Sequence, residues 1–130
     1  MNEDEIHECL TALDGRSAQG EYEAIARLEA AGIDVPELLL RRYRTSRRWS
    51  DRALCLRLCM RYAQSDEPAF RLGALALDDR SKVVRQKACL LLAATQRKEA
   101  IEHLGRLLSD PGCREHAASA IRALEQTTRS

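Results

Sequence analysis

The sequence predicts an all-α fold, an α-α superhelix (α-solenoid) of about eight helices, on three observations. The first is a pattern that occurs twice in the second half: an apolar helix, a short Asp-bearing turn, then a helix opening on valine or cysteine, arginine, two residues and alanine. It reads FRLGALALDDRSKVVRQKACLLLA over 70–93 and IEHLGRLLSDPGCREHAASAIRAL over 101–124. Arg85 maps to Arg114 and Ala88 to Ala117 at a spacing of 29, and Asp79 maps to Asp110 at 31 because the two turns differ in length. Self-similarity at this period is the signature of stacked helical units. The second observation is apolar periodicity of the helical kind along the whole chain, with no convincing strand. The third is the shortness of the breaks, two to five residues, which forces neighbouring helices to run antiparallel.

The elements follow in order. Ile6, Cys9, Leu10 and Leu13 fall at i, i+3, i+4 and i+7, with Glu3, Asp4 and Glu5 placed at the positive end of the helix they define, and Gly15 as its stop. A second helix over about 20–31 presents Tyr22, Ile25, Ala26 and Leu28 and ends at Gly32. Asp34 caps a third that buries Val35, Leu38, Leu39 and Tyr43, with Pro36 tolerated in its first turn. The stretch TSRRWSD interrupts the pattern and offers Ser50 or Asp51 as the next cap. From Ala53 to Ala63 only Arg57 and Arg61 break the apolar run, so this fourth helix is expected to be buried on most sides. Asp66 and Pro68 open the fifth helix, and Asp78 and Asp79 close it. The sixth, over 82–95, is apolar without interruption from Ala88 to Ala94; a strand would read similarly, but the length favours a helix. The seventh places Ala100, Ile101, Leu104, Leu107 and Leu108 on one face, with Glu102 and Arg106 as an i,i+4 pair on the other. Asp110 and Pro111 begin the last, which buries Ala117, Ala120, Ile121 and Leu124.

A chain of 130 residues is expected to form one domain, residues 1–130, with a core of its own. No apolar run approaches the roughly 20 residues of a membrane span, and the acidic start is unlike a secretory leader, so a cytoplasmic protein is expected. Cys9, Cys55, Cys59, Cys89 and Cys113 are an odd number scattered over apolar faces, which reads as reduced core residues and not as a disulfide framework. The net charge of +1 conceals a dipolar chain. Residues 1–37 hold ten acids and two bases, net −8, residues 38–64 hold eight arginines and one acid, net +7, and residues 65–130 have net +2.

DDRSKVVRQKA and DPGCREHA resemble the pattern of HEAT repeats, in the short form of phycobilisome-lyase-type HEAT-like proteins, most specifically over residues 67–126. Upstream, RWSDRALCL follows it more weakly, with Trp49 in the valine place, Ser50 in the arginine place and Ala53 in the alanine place. The resemblance implies that second helices line a concave face and that turn Asp and helix Arg form a ladder between adjacent repeats. Asp79, Arg85, Asp110 and Arg114 are by that resemblance structural. Lyase activity and a bilin site do not carry over, because the match is confined to the repeat pattern.

No catalytic constellation stands out. His7, His103 and His116 belong to different helices, and no nucleophile elbow, zincin, dinucleotide or phosphate-loop motif occurs. Cys113 with His116, and Cys55 with Cys59, each supply two ligands where a structural zinc needs four, so neither a metal nor any other cofactor is expected. Glu99 and His103 read as a solvated helix pair. The candidate functional feature is LLLRRYRTSRRWSDRALCLRLCMRY, in which Arg41, Arg42, Arg44, Arg47, Arg48, Arg52, Arg57 and Arg61 accompany Tyr43, Trp49 and Tyr62. Arg57 and Arg61 are expected on a polar stripe facing a groove, with Arg48 and Trp49 at its edge. Arginine amid aromatics suits protein-binding hot spots and also suits nucleic-acid grooves. The plainer alternative is that these arginines pair with the acidic first third and the aromatics fill the seams between helices. The expected function is a non-enzymatic protein-binding module that engages an acidic surface, an adaptor or an inhibitor of the kind that immunity proteins of bacterial toxins represent; the alternative is a nucleic-acid binder. Charge reversal of Arg57 and Arg61 is expected to leave helicity nearly unchanged while abolishing binding.

Overall fold

Helix-forming segments separated by caps and short turns produce an all-α protein. The computed structural model describes residues 1–64 and 67–127. Among these residues there are eight α-helices: α1 (Glu3–Ala12), α2 (Ala18–Ala30), α3 (Val35–Thr45), α4 (Trp49–Cys59), α5 (Glu67–Ala76), α6 (Lys82–Thr95), α7 (Ala100–Gly105) and α8 (Arg114–Thr127). Short 3-10 turns extend α4 over Met60–Tyr62 and α7 over Arg106–Ser109. Consecutive helices pair as α1 with α2, α3 with α4, α5 with α6 and α7 with α8; α6 then packs on α4 at one side and α8 at the other, while α3 packs on α5. α4, α6 and α8 thus lie side by side, with α3 and α5 packed against each other beside them. No described helix is long and apolar enough to cross a membrane.

The starts of the helices follow from short polar side chains. Asn2, Ser17, Asp34 and Ser81 each accept a backbone N–H three residues ahead, satisfying one of the donors that a helix start leaves open. Two starts differ from the sequence expectation. α4 begins at Trp49 with Arg48 as its cap residue, no side chain closing it, and the Arg52 N–H bonded to the Arg48 carbonyl. Ser50 and Asp51 therefore lie inside the first turn, where Asp51 meets the positive helix end. α8 begins at Arg114 and not at Pro111. The Asp110 carboxylate takes the Gly112 N–H at 3.0 Å and its carbonyl takes those of Cys113 and Arg114, so residues 111–113 are spent in a turn. Asp66, expected at the start of the fifth helix, lies outside the described residues.

One continuous core joins Cys9, Leu13 and Leu28 through Leu39, Leu56, Leu72 and Leu91 to Leu104, Ala117 and Leu124. Where α5 crosses α6, Gly73 is required: a Cβ there would stand 2.8 Å from Cδ2 and 3.0 Å from Cγ of the buried Leu92. Leu91 is fully buried in the same seam, and Leu91→Ala should cost roughly 2–5 kcal/mol. Chemical denaturation would check this, and a loss below about 1 kcal/mol would contradict the packing described. At the end of α6 Gln96 adopts φ of 59°, the left-handed conformation that glycine occupies without a Cβ clash. Gln96→Gly should therefore stabilise the protein by roughly 1 kcal/mol in the same assay.

Several faces are turned relative to the sequence reading. In α2, Tyr22 and Ala26 are exposed, while Glu21 and Ala24 are buried beside Ile25 and Leu28. After Gly105 the chain tightens into a 3-10 turn, which takes Arg106 off the α-helical line of Glu102; it reaches Asp78 instead, at 3.5 Å. The same tightening leaves Leu107 buried and Leu108 41% exposed. His103 is half-buried and meets Phe70 edge to face at 5.9 Å, so it packs across helices and is not simply a solvated partner of Glu99. The Arg97 guanidinium lies over the same Phe70 ring, 5.0 Å from its centre, and is paired with Glu67.

Candidate functional site

The arginines of residues 41–61 divide into three groups, and the division decides which of them can meet a partner. Arg52 belongs to the interior. Its Nε and Nη2 donate to the two carboxylate oxygens of Asp79 at 2.8 and 3.1 Å, and its Nη1 donates to the carbonyls of Ser46 and Arg47. Tyr43 donates its hydroxyl to Asp79 at 2.6 Å, and the Ser81 N–H adds a further bond at 2.8 Å. Burial pushes the Asp79 carboxyl up, but the bonds from Arg52, Tyr43 and Ser81 outweigh it and hold the group below its ordinary range. The Tyr43 phenol moves the other way, raised by burial and by its bond to the carboxylate.

The arrangement recurs one helix pair later. Arg85 donates from Nε to Asp110 at 3.0 Å and from Nη1 to the Asp79 carbonyl at 2.8 Å. Arg114 donates from Nε to the Leu108 carbonyl at 3.0 Å and meets no carboxylate among the described residues. Arg52, Arg85 and Arg114 thus hold equivalent places, each bonded to the carbonyl six residues before it, and the first two reach forward to the Asp of the next turn. Ser50 does not occupy the arginine place; Arg52 does. The signal was present, since Arg52 with Cys55 has the spacing of Arg85 with Ala88 and Arg114 with Ala117, with cysteine as the small residue.

The second group is tied to nearby groups at the surface. Arg42 donates to the Leu13 carbonyl at 3.0 Å, Arg41 lies 3.9 Å from Glu37, and Arg57 donates to Glu21 at 2.8 Å. Of the possible pairings with the acidic first third, Arg57 with Glu21 is the close one across helices. In the third group, Arg44, Arg47, Arg48 and Arg61 are exposed and form no ion pair among the described residues. Tyr43 and Tyr62 are engaged by Asp79 and Glu29, whereas Trp49 is 53% exposed.

The surface around Arg57 draws these facts together. Its guanidinium is half exposed while Glu21, its partner, is almost covered, so a buried carboxylate holds an accessible cation in place. Three depressions border Arg57. One of about 300 Å³ lies toward Asp14, Ser50, Asp51 and Lys87. Another, of about 340 Å³, lies toward Glu21, Tyr22, Met60 and Arg61. A third, of about 90 Å³, is an apolar crevice between Leu56, Met60 and Leu90, with Lys87 at its rim. Tyr22, Met60 and Leu90, at 62, 40 and 57% exposure, are large apolar residues on this α2/α4/α6 face. Trp49, Ser50 and Arg57 share the exposed arc of α4, with Arg48 just ahead of it. Arg61 sits on the 3-10 turn and not on α4 itself, which places it off the line of Arg57.

The thiols lie apart from this face. Burial pushes Cys55 up to about 11 and Cys89 up to about 12, so both are protonated near neutrality and weak as nucleophiles or ligands. Cys113 is buried while His116 is exposed, and among the described residues no three His, Cys, Asp or Glu side chains gather as a metal set. A wider cleft of about 480 Å³ lies at the turns beside Arg44 and Arg80, above the Arg52–Asp79 pair. Compared with known proteins, the sequence matches no family model and has no significant match among curated proteins.

Proposed function

We propose that this chain is a cytoplasmic, non-enzymatic HEAT-like repeat module that binds an acidic surface of a protein partner through its α2/α4/α6 face. The observation that carries the reading is the convergence of three depressions on Arg57, with Tyr22, Met60 and Leu90 exposed around it and Arg61 and Lys87 adding positive charge. A cation held by a covered carboxylate loses little freedom on binding, and apolar residues ringed by charge are the composition of a protein interface. The recurring Arg-to-Asp bonds of α4 and α6 support the repeat assignment, since equivalent side chains do equivalent work in successive helix pairs. An adaptor, or an inhibitor that blocks a toxin or other enzyme, fits a small module of this kind.

The nucleic-acid reading rests on one observation: Arg44, Arg47 and Arg48 crowd the α3–α4 turn without ion pairs among the described residues. Anisotropy titrations with labelled oligonucleotides against salt separate the two, because phosphate binding weakens by orders of magnitude between about 50 and 200 mM salt. The protein-binding reading predicts negligible oligonucleotide affinity at about 150 mM salt and a defined protein partner retained there; tight oligonucleotide binding at that salt would overturn it.

A further inference from the structure

Resting on the reading of this face as a docking surface, we propose that the crevice between α4 and α6 receives one branched aliphatic side chain from a partner segment that carries carboxylates beside it. The crevice has a floor of Leu56, 1% exposed, and walls of Met60 and Leu90, with the stems of Arg57 and Lys87 at the rim. At about 90 Å³ it is the smallest of the three depressions around Arg57 and the one with the most apolar lining, which suits a compact aliphatic side chain such as valine, isoleucine or leucine. Leu90 lies within the uninterrupted apolar run of α6 and yet is 57% exposed, so a leucine that the helix does not need for its core faces the crevice. Met60 opposite it has the flexible, polarisable side chain that adapts to an incoming group.

Charge fixes what flanks the incoming side chain. Arg57 and Lys87 border the crevice with charged heads outward and apolar stems inward, and Lys87 has no ion pair among the described residues. Asp14 and Asp51 lie on the Lys87 side, whereas the depression beyond Met60 holds Arg61 with Glu21 already bonded to Arg57. Carboxylates of the partner are therefore directed toward Arg57 and Arg61, one step along the chain from the aliphatic group.

Methyl NMR of the intact protein tests this, with capped pentapeptides as probes: a leucine between two pairs of acidic residues, the same peptide with alanine for leucine, and the same with the acids as amides. The leucine peptide should shift the Met60 and Leu90 methyl signals, and the alanine and amide peptides should each bind roughly tenfold more weakly. Leu90→Gln, at an exposed position, should retain the fold and lose the preference for leucine over alanine. Equal binding of the leucine and alanine peptides at the Arg57 face would overturn the crevice assignment and leave the docking surface standing. No shift on this face from any acidic peptide, with oligonucleotide binding there instead, would overturn both. The same methyl shifts arising with protein concentration alone, without peptide, would assign the crevice to a second copy of the chain and overturn the acidic-partner proposal.

Discussion

Asp79→Ala should destabilise the protein by about 3–5 kcal/mol, the range for removing one partner of a buried, fully bonded ion pair. The carboxylate is the meeting point of α4, through Arg52, of α3, through Tyr43, and of the turn into α6, through the Ser81 N–H. Its removal leaves a guanidinium that is 8% exposed without its countercharge and a buried hydroxyl without its acceptor. Arg52→Ala should be nearly as costly, and Arg52 and Asp79 should show strong coupling in a double-mutant cycle. Arg85 with Asp110 is the comparison within the same molecule. At 21 and 25% side-chain exposure that pair is more hydrated, and Asp110→Ala should cost less than Asp79→Ala.

The pH dependence follows with a definite sign. The Asp79 carboxyl is held below its unfolded value of 3.8, so the unfolded chain binds the proton first. Its contribution to stability is present in full above that value and is lost as pH falls through the lower, folded one. The stability gap between the wild type and Asp79→Asn should therefore be constant near neutrality and should narrow as pH falls from about 5 toward 2. Urea denaturation across that range checks it, and a gap that widens on acidification would contradict the network.

Reversing charge at Arg61 and Lys87 is the second large effect. Both are without ion pairs among the described residues and lie on either side of Arg57. Arg61→Glu with Lys87→Glu should leave helicity and unfolding midpoint nearly unchanged, because isolated surface charges contribute about 0–1 kcal/mol. Binding of an acidic partner should weaken by at least a hundredfold, since like charges brought together at an interface cost several kcal/mol. From the sequence alone, Arg57 with Arg61 is the pair expected to carry this reversal. The bond from Arg57 to the nearly covered Glu21 changes the choice, because a glutamate at 57 would face that carboxylate and disturb the fold as well as the site.

What was legible in the sequence depended on whether the signal was periodic or positional. Helix number and order follow from apolar spacing, and the buried places of Leu39, Leu91 and Leu124 follow from the same rule. The boundaries of α4 and α8 were less legible. At α4 the backbone closes the first turn without a side-chain cap, and at α8 Asp110 organises a turn before the helix starts. Glu21 was hidden because a buried carboxylate looks like any solvated helix residue until Arg57, 36 residues away, is beside it. Arg52 stood among eight arginines, and the cysteine that takes the small-residue place at Cys55 masked its match to Arg85 with Ala88 and Arg114 with Ala117. Leu90 was hidden by its neighbours, for an unbroken apolar run does not say which member faces out.

The most direct measurement is the affinity of the partner, captured with the wild-type chain, for the wild type and for Arg61→Glu with Lys87→Glu, at about 150 mM salt with circular dichroism on the same samples. The account predicts matched spectra and at least a hundredfold loss of affinity. Matched spectra with unchanged affinity would contradict it and move the binding surface away from the α2/α4/α6 face.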